Sequence, residues 1–137
     1  MPGCYYRVHG THFDPDAFLA SATLEAYKVY HAGEPMGRSG RRAAMTHEVS
    51  GFNCNVSDVD GILADELTDA IVFLQTNHSD LLRLATDPHV DERFLDFGFY
   101  SRLYGDKDIA MQGEFLSIEF LELVAELKIG VQLSYYT

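Results

Sequence analysis

The stretch from Ser117 to Tyr136 constrains the fold more than any other part of the chain. It joins one amphipathic helix to one alternating strand through a glycine. Ser117 is a good N-cap, because its hydroxyl can accept from an otherwise orphaned backbone N–H of the first turn. Phe120, Leu121, Val124 and Leu127 then recur at helical spacing, with Glu119, Glu122 and Glu126 on the other side. Gly130 suits a left-handed helix end, and Val131, Leu133 and Tyr135 alternate with Gln132, Ser134 and Tyr136 in the period of a half-buried strand. A helix of this kind must return to a sheet.

The rest of the chain supplies that sheet. Cys4 to Gly10 reads as a first strand, and Phe13-Asp14-Pro15-Asp16-Ala17-Phe18 as a helix start: Asp14 caps, Pro15 takes the first helical position, and Phe13 staples to Phe18. Tyr27, Val29 and Tyr30 favour a second strand between about Leu24 and His31, closed by Gly33-Glu34-Pro35. After a basic Gly/Arg loop, Ser50, Phe52, Cys54 and Val56 share one face of a third strand. Ile62, Leu63, Leu67, Ala70, Ile71 and Leu74 form the apolar stripe of the longest helix, and Leu81, Leu82 and Leu84 continue in a second helical piece. Leu95, Phe97, Phe99 and Leu103 mark a long strand, and Tyr104 to Asp108 a hairpin turn into a further strand from Ile109 to Phe115.

This order predicts one α+β domain over residues 1–137, with a mainly antiparallel sheet and helices packed on one face. The helices are expected at about 14 to 22, 59 to 76 and 117 to 129. The first and last thirds each hold a strand, a capped helix and a strand, so ferredoxin-like units fit the pattern. The expected core includes Phe18, Leu67, Ile71, Leu74, Leu95, Phe97, Leu121, Val124 and Leu133. A length of 137 residues with 47% hydrophobic content suffices for one such core.

The early strand, the Phe13-Asp14-Pro15-Asp16 helix start, the Tyr30-His31-Ala32-Gly33-Glu34 turn and the ending Phe115 to Leu121 through Leu127-Lys128-Ile129-Gly130-Val131 together resemble the uncharacterised bacterial family known as domain of unknown function 4279. The resemblance spans most of the chain. It implies a bacterial protein and supplies no activity.

Charge narrows the function classes. Ten Lys and Arg against 21 Asp and Glu leave a net charge of -11, which opposes attachment to nucleic acid or an anionic membrane and favours a basic partner. No run approaches the roughly 18 apolar residues of a membrane span, and the first residues lack the apolar stretch of a leader; a cytoplasmic location is expected. Cys4 and Cys54, the only two cysteines, read as buried thiols.

No motif for catalysis emerges. The chain has no G-x-S-x-G elbow, P-loop or dinucleotide fingerprint. His9, His12 and Asp14 are close in sequence, but a metal centre needs converging ligands and support, so no metal and no cofactor is assigned. Asp58, Asp60 and Gly61 fall at the third, fifth and sixth places of a calcium loop, yet Val56 and Leu67 occupy its first and last ligand places; Ser57, Asp58 or Asp60 are expected to cap the following helix instead. Arg38, Arg41 and Arg42 form the one basic cluster and are the candidate anion-binding residues, since guanidiniums grip phosphate or carboxylate in a fork. Tyr5, Tyr6, Tyr135 and Tyr136 are a candidate aromatic patch for a partner. The reading that follows is a non-enzymatic interaction domain, either an immunity-type inhibitor of a basic protein or a homodimer. The alternative is a small-ligand binder or enzyme with a pocket between sheet and helices.

Overall fold

In the computed structural model, which describes residues 2–59, 61–103 and 109–136, the chain begins β1 (Gly3–Gly10), α1 (Pro15–Ala20), β2 (Lys28–Tyr30), α2 (Gly40–Ala43) and β3 (Ser50–Ser57). It continues α3 (Leu63–Thr76), α4 (His78–Ala85), β4 (Glu92–Tyr100), α5 (Ile118–Glu126) and β5 (Gly130–Tyr136). The strands form one sheet in the order β2-β3-β1-β4-β5, antiparallel throughout except for β4 with β5. Both β1-α1-β2 and β4-α5-β5 join parallel strands. The first pair is split by β3, and the second pair lies side by side.

Register decides which side chains meet the helices. Tyr6 lies opposite Cys54 and Val8 opposite Phe52, while Cys4 lies opposite Phe97, so these six share one face of the sheet. All of them are buried. Three of the helices reach that face with an aromatic ring: Phe18 of α1 stacks on Phe52 at 5.9 Å, Phe73 of α3 meets Tyr6 at 6.0 Å, and Phe120 of α5 meets Phe97 edge-on at 5.8 Å. The helices therefore cover one face only.

Local signals at helix starts hold. The Asp14 carboxylate accepts from the Ala17 N–H at 3.1 Å with Pro15 in the first turn, and Phe13 meets Phe18 at 6.4 Å. Ser117 accepts from the Phe120 N–H at 3.2 Å. The start of α3 differs. Ile62 precedes it without a side-chain cap, because Ser57 instead donates to Asp69 at 2.7 Å and Asp58 accepts from Asn55. Asp60 and the expected turn at Tyr104 to Asp108 lie outside the described residues.

Other expectations differ from the structure as well. Ile109 to Phe115 is not a strand: it pairs with no described strand, and Met111 and Phe115 are 79% and 80% exposed. Leu121 is 42% exposed rather than core, because the inward line of α5 runs through Phe120, Val124 and Leu127 and leaves Leu121 on its flank. The left-handed residue after α5 is Lys128 (φ 54), not Gly130, which already belongs to β5.

That last correction carries a test. Ile129 N–H donates to the Val124 carbonyl at 2.8 Å and Lys128 N–H to Ala125 at 3.2 Å, the paired bonds of a Schellman ending, with Ile129 buried behind Val124. A side chain at positive φ opposes this geometry. Lys128→Gly is expected to stabilise the fold by about 0.5–1 kcal/mol in urea unfolding. A loss of stability would mean that Lys128 contributes a contact outweighing its strain.

Candidate functional site

The face of the sheet away from the helices is uncovered, and its centre is built by alternation. On β1, Tyr5 and Arg7 point opposite to Cys4, Tyr6 and Val8. Register places Asn53 beside Arg7 from β3, Asp96 beside Tyr5 from β4, and Ser134 near Asp96 from β5. The Arg7 guanidinium bonds Asp96 Oδ2 through Nε and Nη2, both at 3.2 Å, and Ser134 Oγ donates to Asp96 Oδ1 at 3.2 Å. With its amide oxygen turned to Arg7, Asn53 accepts from Nη1 at 3.0 Å and donates to the Phe52 carbonyl. Arg7 is thus fixed on three strands.

Aromatic rings frame it. The Arg7 guanidinium lies 5.4 Å from the Tyr5 ring centre, and Tyr5 meets Tyr27 at 6.0 Å. Tyr5, Tyr27, Tyr136, Arg7 and Lys28 enclose a cleft of about 310 Å³ whose floor includes Gly3 and Gly98. It holds a rigid cation, an exposed lysine and tyrosine hydroxyls. Asp96 is already bonded to Arg7 and Ser134, so the arrangement suits recognition rather than proton transfer.

The four tyrosines suggested by sequence divide. Tyr5 and Tyr136 line this cleft, whereas Tyr6 is fully buried on the helix side and Tyr135 packs edge-on against Phe99 at 4.6 Å. Burial raises the Tyr6 phenol above its ordinary range. Arg7, Tyr27, Asn53 and Asp96 were absent from the sequence candidates. Alternation on β1 signals that Tyr5 and Arg7 share a face, but their meeting with Asp96 depends on register across strands.

The arginine cluster lies elsewhere. Arg38, Arg41 and Arg42 are all exposed around α2, a four-residue helix whose N-cap Ser39 makes no side-chain bond. Arg38 lines a broad cleft beside β2 with Tyr30 and His47, whose rings stack at 4.7 Å, and Arg41 and Arg42 are not part of its lining. His31 nearby bridges Asp16 and Glu34 through its two nitrogens, each at 2.5 Å, and these bonds raise its pKa. His9 pairs with Glu92 at 3.2 Å, and Asp14 serves as a helix cap. Among the described residues no group of three or more His, Cys, Asp or Glu is placed to hold a metal ion.

Inside the fold, Glu66 of α3 is fully buried, and both its carboxyl oxygens have no hydrogen-bond partner among the described residues. Burial first, then the charges of Asp69 and Asp96, push it up to about 7. Cys4, which feels the Glu66 charge, is raised mainly by its own burial, and Cys54 is pushed up to about 12 by burial. Neither thiol is a nucleophile at neutral pH.

No helix among the described residues is long and apolar enough to cross a membrane. No family model, curated protein or solved structure matches the chain.

Proposed function

We propose that the protein is a non-enzymatic interaction module that docks on a basic protein through the uncovered sheet face, in the manner of an immunity-type inhibitor. The observation that carries this reading is the Arg7 site: a guanidinium held by Asp96 and Asn53 among Tyr5 and Tyr27. Fixed arginine and tyrosine are the side chains that concentrate binding energy at protein contacts, because they lose little conformational freedom on docking. Charge acts at longer range. The face itself is close to balanced, with Arg7 and Lys28 set against Asp96 and Glu92, while the whole chain carries -11 and draws a cationic partner toward it.

A second reading uses the same cleft for a small ligand, since about 310 Å³ is at the lower end of ligand-site volumes. The space between sheet and helices is occupied by aromatic contacts such as Tyr6 with Phe73 and Phe97 with Phe120.

A photo-cross-linking residue at position 27, used in the native cell, is expected to trap a protein of net positive charge, and the same residue at exposed position 68 on α3 to trap none. Tyr5→Ala and Tyr27→Ala should each weaken the purified complex about tenfold or more, with affinity falling as salt rises. Equal trapping at both positions, or binding indifferent to these variants, would refute docking through this face.

A further inference from the structure

The sheet has two edges, and among the described residues only one is protected. At β2 the edge strand has three residues, and the chain beyond it folds back: Gly33 N–H donates to His47 O at 2.8 Å, His47 N–H to Glu34 O at 2.9 Å, and Met36 N–H to Met45 O at 2.8 Å. Short edge strands beside a folded loop block further pairing. At the other edge β5 is seven residues long, and among the described strands it pairs with β4 alone. From Gly130 to Tyr135 no described residue hydrogen-bonds along its outer side.

Charge and shape at this edge point to one occupant. Gly130 to Tyr136 contains no charged residue, in a chain of net charge -11. Above the edge, α5 turns Glu119 toward Gln75 of α3 and Glu126 toward His78 at the start of α4, and both pairs bond. At about 100° per residue the opposite flank of α5 carries Ile118, Leu121 and Ala125, all exposed. Glu122 stands on the outer side of α5, about 40° from Ile118 and about 100° from Leu121, so two copies of this acidic protein approach through Leu121 rather than through their glutamates.

We propose that the protein forms a two-fold homodimer by antiparallel pairing of β5 with β5 of a second copy. With the axis at Leu133, Val131 lies opposite Tyr135 of the other strand and Gln132 opposite Ser134. Residues 131, 133 and 135 lie on the helix face and 132 and 134 on the uncovered face, so polarity matches at every pair. The same axis sets the two α5 flanks side by side, burying Ile118 and Leu121. The product is one ten-stranded sheet with its helices on a common side. This goes beyond docking through the uncovered face and uses different residues, so either can fail alone.

Light scattering is expected to give twice the chain mass at micromolar concentration, with the dimer fraction rising as salt screens the like charge. Ile118→Glu with Leu121→Glu should return the mass to one chain while leaving the melting transition in place, since both side chains are exposed. Under mild oxidation Leu133→Cys should cross-link two chains and Gln132→Cys should not, because only position 133 meets itself; Cys4 and Cys54 are buried. A strict monomer, a dimer that survives the double glutamate variant, or equal cross-linking at 132 and 133 would overturn the proposal. So would a monomeric chain that takes an extended strand of another protein on β5. None of these variants touches Tyr5, Arg7 or Tyr27.

Discussion

Phe52→Ala is expected to remove about 4 kcal/mol of stability, read as a shift of the urea unfolding transition, with Phe52→Leu costing about 1–2 kcal/mol. Phe52 is fully buried in β3 and holds two other rings, Phe18 at 5.9 Å and Phe13 at 6.2 Å. Those rings anchor α1 and the turn before it, and Val8 and Val29 flank Phe52 from the neighbouring strands. Alanine leaves a cavity bounded by two strands and a helix, none of which can collapse into it without losing backbone pairing. A loss below about 1.5 kcal/mol for alanine would mean that α1 is loosely attached and that the sheet does not depend on it.

That ring cluster was legible because its instructions are local. Phe13, Asp14, Pro15 and Phe18 define a helix start within six residues, and Ser117 does the same for α5. Alternation likewise gave the faces of β3 and β5. What alternation does not report is whether a neighbour pairs: Ile109, Met111 and Phe115 have the pattern of a strand, yet they join no described strand, and Met111 and Phe115 stand exposed. Leu121 failed for a related reason. Helical spacing marks Leu121 as apolar but does not say whether it lies on the inward line of α5 or on its flank. The Arg7 site was half readable, since Tyr5 and Arg7 share a face by period, while Asp96, Asn53 and Tyr27 reach them only through register. The longest helix shows the same limit. Its stripe counted Ile62 as inward, but Ile62 is exposed and Glu66, three residues after Leu63 and four before Ala70, is inside. Spacing admitted Glu66 all along; its charge argued against it.

Glu66 is expected to make this protein less stable as pH rises from about 4.5 to about 7, and its replacement by leucine to remove the Glu66 share of that slope. Below the lower value the carboxyl is neutral in both folded and unfolded chains and contributes nothing to the pH dependence. Between the two values the unfolded chain releases the proton while the folded chain retains it, so stability falls. Above the upper value the difference is constant at roughly 3 kcal/mol. The cause is the setting: Glu66 on α3 lies buried near Cys4 of β1, Asp69 of its own helix and Asp96 of β4, with neither oxygen bonded. His31 acts in the same direction, because its raised pKa contributes stability that is lost as pH rises through the folded value. Asp80 and Asp91 act oppositely. Burial opposes the ionised form of Asp80, but bonds from Thr23 and Leu24 and the charge of Arg83 overcome it; Thr11 holds Asp91 low. Their stabilisation is lost in acid, as pH falls through their lowered folded values. Glu66→Leu should therefore gain about 2–3 kcal/mol at pH 8 and little at pH 4.5, and Glu66→Gln should flatten the profile with a smaller gain, because its amide is left unbonded. Chemical unfolding of the three proteins across pH 4.5 to 8 decides it: an unchanged slope in Glu66→Leu, or a net loss at pH 8, would mean that the carboxyl has a partner stabilising its charge.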